Sequence, residues 1–256
     1  MSYLTEVLAD NPTHYWRLAD RSGEWAADIG SARPEMMIYK PQASGSVLGL
    51  SYSGPNSDGG SALVLSPSYV QCAAIQATFP FTIEICSFFN YVTAALTALM
   101  AWNYDNQTVG LAIGGALPGV YVAYSSTGNA AGHVPSKYVW DHVAGVYTAA
   151  ATSLYVNGAL QQTVGATALT GPQSVFLGRT QANGQPLPGG SLSEVAIYPT
   201  ALSAARLLAH FNALNQRTQT PVFGGAGDFS GAPTNAAYTD LLLKILQSVR
   251  KPFVDL

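Results

Sequence analysis

Between Thr13 and Tyr198 the chain is built of short apolar runs with a period of two, separated by glycine and proline, and few folds accept such a pattern. In "FTIEICSFFNYV", Phe81, Ile83 and Ile85 fall on one face of an extended strand and Thr82, Glu84 and Cys86 on the other. Farther along, Trp140, His142, Ala144 and Val146 alternate with Asp141, Val143, Gly145 and Tyr147, and a second run follows from Ser153 to Val156. Asn157 and Gly158 then offer two residues that tolerate positive φ, as a type I′ hairpin turn requires. Residues 159–164 are therefore predicted to return antiparallel as the third strand of a meander. Further strands are predicted in "THYWRLAD", "ALVLS" and "SYVQCAA", and at residues 96–102, 109–114, 119–125, 174–178 and 192–198. Many short strands with turn-rich links predict an all-β fold, an antiparallel β-sandwich of the jelly-roll kind.

Two segments carry a helical period instead. Residues 201–214 place Leu202, Ala205, Leu208 and Phe211 in one stripe behind Ser203, a candidate cap, which predicts one short helix on the sandwich edge. Residues 238–251 place Leu241, Leu242, Ile245, Leu246 and Val249 at helical spacing, with an Asp240–Lys244 pair and Pro252 as the stop. The stretch between them is dense in Gly, Pro, Ser and Thr, the composition of a linker. The predicted organisation is a sandwich over 1–214, a linker over 215–237 and an amphipathic docking tail over 238–256.

Charged residues make up only 10% of the chain and the net charge is -3, so Ser, Thr, Asn, Gln, Gly and Tyr must form most of the surface. The scattered Lys and Arg residues provide no footprint for a phosphate backbone, which argues against nucleic acid as a partner. No run approaches the roughly 18 consecutive apolar residues of a membrane span. The opening "MSYLTEVLADNPTHYWRL" carries Glu6 and Asp10 early and lacks a basic patch leading into an apolar core, so it does not read as a secretory signal. Two cysteines in a domain of this size make no disulfide framework, and Cys72 and Cys86 read as free, buried thiols.

Four ordered blocks carry a family resemblance: "LADNPTHYWRLADRSGEWAAD", "FPFTIEI", "WDHVAGVYTAAATSLYVNGALQQTV" and "FLGRTQANGQPLPGGSLSEVAIYPTALSAARLLAHF". Together they resemble a laminin G-like domain of the concanavalin A-like lectin/glucanase superfamily, over about residues 1–214. The resemblance implies a lectin-like sandwich; it does not choose among lectins, glycosidases, adhesion modules and structural modules. It also implies calcium at one sandwich edge, for which Asp28, Asn56 and Asp58 are the candidate ligands. Ser193 stands where an Asp commonly precedes the Glu of this family's "DEVAIY", and "SPSYV" replaces Phe-Asp-Gly, each change removing an acid.

Glycosidases work with two carboxyl groups across the sugar bond. The similar glucanases carry them on one strand as Glu-x-Asp-x-x-Glu, where this chain has Glu84 alone between Thr82 and Cys86, which reads as an outward-facing polar residue on a half-exposed strand. No Gly-x-Ser-x-Gly elbow is present, and His14, His133, His142 and His210 form no close ligand pair; His142 reads as a hydrogen-bonded structural residue. No catalytic residue is therefore assigned. For binding, "MAWNYDNQTVG" gathers Trp102, Asn103, Tyr104, Asp105 and Asn106 in one connection, which reads equally as a turn and as a sugar site of aromatic faces beside amide and carboxylate oxygens.

Modules of this kind usually work outside cells, whereas the opening segment reads as no export signal and a linker with an amphipathic helix follows the sandwich. A protein made in the cytosol and displayed after lysis reconciles these features, and laminin G-like domains recur in phage structural proteins. The expectation is a non-enzymatic bacteriophage virion protein (tail, fibre or head decoration), docked to other virion subunits through Leu241, Leu242, Ile245, Leu246 and Val249, oligomeric in the assembly, and binding cell-surface glycans. A purely structural assembly module and a bacterial surface adhesion module are the alternatives, and a glycoside hydrolase would need two carboxylates to converge from distant loops.

Overall fold

A computed structural model of the chain describes residues 2–18, 25–31, 37–40, 49–53, 61–64, 69–75, 78–89, 97–103, 109–114, 119–125, 128–165, 173–178 and 190–215. In chain order these form helix α1 (Tyr3–Ala9) and strands β1 (His14–Trp16), β2 (Trp25–Ala26), β3 (Met37–Lys40), β4 (Gly49–Ser53), β5 (Ser61–Val64), β6 (Tyr69–Ile75), β7 (Phe81–Phe89) and β8 (Thr97–Asn103). Then follow β9 (Val109–Gly114), β10 (Val120–Ser125), β11 (Gly128–Gly132), β12 (Trp140–Tyr147), β13 (Ala151–Val156), β14 (Ala159–Gly165), β15 (Gln173–Leu177), β16 (Gly190–Tyr198) and helix α2 (Ala204–Asn215).

The strands pair into two antiparallel sheets that form a sandwich, as the alternation predicts. One sheet runs β14-β13-β12-β7-β16-β5-β4, with β1 also paired to β16; the other runs β11-β10-β9-β8-β15-β6-β3-β2. Strands β12, β13 and β14 make the predicted meander, and Asn157 (φ 53) and Gly158 (φ 76) both occupy the left-handed region at its turn. A side chain at Gly158 would also strike the Leu208 backbone, its Cβ lying 2.9 Å from Leu208 Cα, so glycine is required there twice over.

The period of two decides where each side chain goes. On β7, Phe81, Ile83, Ile85 and Phe89 enter the core between the sheets, where they meet Leu99, Met100, Val109, Leu111 and Tyr121 from the opposite sheet. On β12, Val143 and Tyr147 do the same. The other face of β7, β12 and β16 is not left to water. Tyr3 and Val7 from α1 and Leu207 and Leu214 from α2 cover it, forming a second buried cluster with Cys86, Ala144, Val146, Ala196 and Tyr198.

This second layer corrects the expectation for Glu84, which lies at 0% exposure. Helix α1 is an addition to the expected elements. Its N-cap Ser2 accepts a hydrogen bond from Thr5 N–H, and seven residues are too few to show an amphipathic period clearly. The inward stripe of α2 is also displaced by one position from the expected one. Leu207, His210 and Leu214 are buried while Leu208 is exposed and lies against the Gly158 turn. Ser203 does cap the helix, its Oγ accepting from Arg206 N–H. The chain divides into two compact units, Met1–Gln216 and Arg217–Leu256, and the second lies outside the described residues.

Candidate functional site

Glu84 is carried into the helix-covered layer by the alternation of β7, directly opposite Ala144 of β12 and Ala196 of β16. Two alanines flank it and leave room above the sheet for larger groups. His142, two residues before Ala144 on the same face, brings Nε2 to 2.7 Å from Glu84 Oε1. His210 of α2 brings Nδ1 to 2.8 Å from Oε2, and the hydroxyl of Tyr3 of α1 donates to Oε1. One carboxylate thus joins a strand, its neighbour and both helices.

The arrangement continues outward as an alternating chain of charge. His210 Nε2 lies 2.9 Å from Asp10 Oδ2, Arg206 Nε lies 2.9 Å from the same oxygen, and Arg206 also reaches Glu6 at 3.0 Å. A lone pair on His210 Nε2 would face an anionic oxygen at 2.9 Å, so the geometry selects the imidazolium, with Nδ1–H donating to Glu84. Burial works against the charge of His210, but Glu84 and then Asp10 outweigh it and hold its pKa above the ordinary histidine value. Burial likewise pushes the Glu84 carboxyl up, and the His142 and His210 rings more than reverse this, holding it well below the usual carboxylate range.

Among the described residues, Glu84, His142 and His210 are also the group that could converge on a metal ion, their ligand atoms lying within 4.8 Å of one another. The donor set does not fit one. Each Glu84 oxygen is already paired with a ring nitrogen, and His142 Nδ1 is buried with no hydrogen-bond partner. Metal on His142 Nε2 would move the ring hydrogen to Nδ1, where nothing accepts it, whereas ligating histidines donate that hydrogen to an outer partner. The cluster holds a proton between carboxylates and acts as an ionic clamp.

The remaining described acids are engaged in similar ways. Glu194 sits at φ 55 in a bulge of β16, accepts from the Tyr15 hydroxyl and pairs with Arg17 at 3.2 Å. Ser193, at the altered family position, donates through Oγ to Arg17 O. Asp141 accepts from the Tyr121 hydroxyl at 3.0 Å and from Asn157 Nδ2 at 2.8 Å. Asp28, a calcium candidate, accepts from Tyr15 N–H and Gly30 N–H through Oδ1 while His14 Nδ1 lies 2.7 Å from Oδ2, so its carboxylate is occupied within the fold. Both thiols are buried and unbridged, and burial pushes that of Cys86 up, away from a reactive thiolate.

Of the expected sugar-binding residues, Trp102 and Asn103 end strand β8, with the Trp102 backbone between Val175 of β15 and Val109 of β9. Tyr104, Asp105 and Asn106 lie outside the described residues, as do Asn56, Asp58 and the tail residues Leu241, Leu242, Ile245, Leu246 and Val249. The structure brings together Glu84, His142 and His210, which stand far apart in sequence. The alternation places Glu84 with Thr82 and Cys86, and His142 with Trp140 and Val146, but the pairing of β7 with β12 that joins these faces is a feature of the fold. The third member and Asp10 come from helices whose docking no local period reveals.

A family model described as the concanavalin A-like lectin/glucanases superfamily matches residues 73–207, just over half of the chain. No curated protein matches it in sequence. In fold the chain is similar to domain 4 of AbnA, an extracellular arabinanase from Geobacillus stearothermophilus, in complex with arabinotriose. The identity is 16%, the TM-score 0.60, and the match covers 78% of this chain and 98% of that one. It is similar to botulinum neurotoxin type C, whose cell entry is dependent upon interaction with two ganglioside molecules (12% identity, TM-score 0.57, 82% of this chain and 53% of that one). A third neighbour is Trypanosoma rangeli sialidase in complex with sialic acid (12% identity, TM-score 0.56, 78% of this chain and 32% of that one). At these identities the likeness is one of fold.

Proposed function

Because this chain belongs to the concanavalin A-like lectin/glucanase superfamily, we propose that it is a non-enzymatic carbohydrate-binding module displayed on a bacteriophage virion, as part of a tail, fibre or head decoration. The observation that carries the non-enzymatic reading is the enclosure of Glu84. A glycosidase needs one carboxyl as acid and another as nucleophile or base, about 5 to 9.5 Å apart across an open cleft. Glu84 is closed beneath α1 and α2, and its bonds to His142, His210 and Tyr3 leave it no oxygen for a substrate. Among the described residues Glu6, Asp10, Asp28, Asp141 and Glu194 are likewise held by internal partners.

Glycan binding is supported by a neighbour of the same fold, matched over 98% of its length, that is seen with arabinotriose. The low charge of the chain suits a neutral hydroxyl-rich ligand. The virion placement rests on the family's recurrence in phage structural proteins and on the linker and apolar stripe of residues 215–256, which suit docking to a neighbouring subunit. The test pairs a glycan array probed with the full chain against a reducing-sugar assay on every glycan bound. Binding without sugar release is expected, and release above background overturns the non-enzymatic assignment. Mass spectrometry of purified phage particles tests the placement, with the chain expected among the particle proteins.

A further inference from the structure

We propose that Tyr138, backed by Phe88 and Trp140, is the stacking platform on which this module receives a sugar ring; the inference rests on the carbohydrate-binding reading above and adds the site. Residues 133–139 cross from β11 of one sheet to β12 of the other. Tyr138 is 70% exposed, and Val134 and Val139 of the same crossing are exposed as well. Its backbone lies at φ 63, a region that a bulky residue rarely occupies, and its N–H donates to Phe89 O at 2.8 Å, which fixes the ring outside the end of β7. Phe88 and Trp140 are direct partners across β7 and β12, with ring centroids 5.5 Å apart. The Tyr138 ring lies 6.4 Å from Phe88 at an interplanar angle of 61°.

Three rings therefore form a stepped surface, with Phe88 and Trp140 half-buried and anchored and Tyr138 projecting. Trp140 packs against the helix-covered cluster, so the base of the platform is rigid. A pyranose or furanose ring presents a C–H face that stacks on such rings and a rim of hydroxyls that stays wet. In the crossing, Ser136 and Lys137 are exposed and supply polar groups at the edge. Lys137 is the one fixed charge of the segment, and the acid nearest in sequence, Asp141, is turned inward to Tyr121 and Asn157.

Tyr138→Asn tests the site, because Asn tolerates the left-handed backbone while removing the ring. The full chain and the variant are compared on the array glycans that the wild type binds, with arabinotriose included as a soluble probe, and by melting temperature and light scattering. Affinity is expected to fall about tenfold or more, with the melting temperature unchanged or raised and the mass unaltered. Tyr138→Phe, which keeps the ring, is expected to retain binding. Wild-type binding that Tyr138→Asn leaves intact overturns the site but not the carbohydrate reading. Absence of any wild-type binding overturns both. A change of oligomeric mass without a change in glycan affinity makes the patch a protein interface and overturns the proposal as well.

Discussion

Glu84 and His210 stand 126 positions apart in sequence and meet with His210 Nδ1 donating to Glu84 Oε2 at 2.8 Å, both side chains fully enclosed. The bond ties the second helix to the central strand of the sheet. It also sets the charge state of the layer beneath both helices, since His210 is held as an imidazolium between Glu84 and Asp10.

Replacing Glu84 with Gln keeps the volume and removes the charge, leaving an enclosed imidazolium with only Asp10 to balance it. Breaking a buried pair from one side costs on the order of 3 to 5 kcal/mol. Urea denaturation should show a loss of that size. Arg206→Ala, at the half-exposed outer end of the same chain, should cost no more than about 1 kcal/mol, because solvent screens its pairs with Glu6 and Asp10. Equal losses at the two positions would show that the chain of charge is not graded by burial.

The pH dependence follows from the signs of the two shifts. Glu84 is depressed in the folded state, so its contribution is present above the ordinary carboxylate value and lost as pH falls through its lower folded value. His210 is raised, so its contribution is complete below its ordinary value of about 6.5 and lost as pH rises through the higher folded value. Stability should therefore peak between the two limits and decline above neutrality. His210→Gln should lower stability at pH 6 by more than at pH 9. A difference that stays the same at both pH values would contradict the imidazolium.

Asn157 tests the hairpin and the inner acid together. Its Oδ1 accepts from His142 N–H at 2.9 Å, its Nδ2 donates to Asp141 at 2.8 Å, and its φ of 53 suits Asn better than most residues. Asn157→Ala should cost about 2 kcal/mol, from a half-satisfied Asp141 and a strained turn. Asn157→Gly, which relieves the backbone alone, should recover only part of it.

The meander, the two-sided alternation of β7 and β12 and the cap at Ser203 were all legible in the sequence, because each depends on neighbours two to four residues away. Glu84 was misread for a physical reason. Period two reveals which face a residue occupies but not what covers that face, and the cover comes from α1, 75 or more residues earlier, and α2, 120 or more later. The bulge that turns Glu194 toward Tyr15 and Arg17 also escapes a strict period, since an extra residue resets the register. Tyr138 gave no signal of its own, for its exposure follows from the crossing between sheets.

The C-terminal segment yields a separate prediction. Five large aliphatic residues, Leu241, Leu242, Ile245, Leu246 and Val249, recur at helical spacing in the sequence after the compact unit Met1–Gln216. Deleting residues 216–256 should leave the melting temperature of the sandwich within a degree or two, as about 0.5 kcal/mol or less would permit, while abolishing incorporation into particles. A fall of several degrees would assign the segment to its own sandwich.

The carbohydrate-binding, non-enzymatic reading is tested most directly by titrating the full chain with its array-selected glycan in a calorimeter and assaying the same sample for reducing ends. Saturable binding of one glycan per chain, weakened about tenfold by Tyr138→Asn and without new reducing ends, is expected. Saturable binding accompanied by steady release of reducing sugar, or no heat with any glycan, would contradict it.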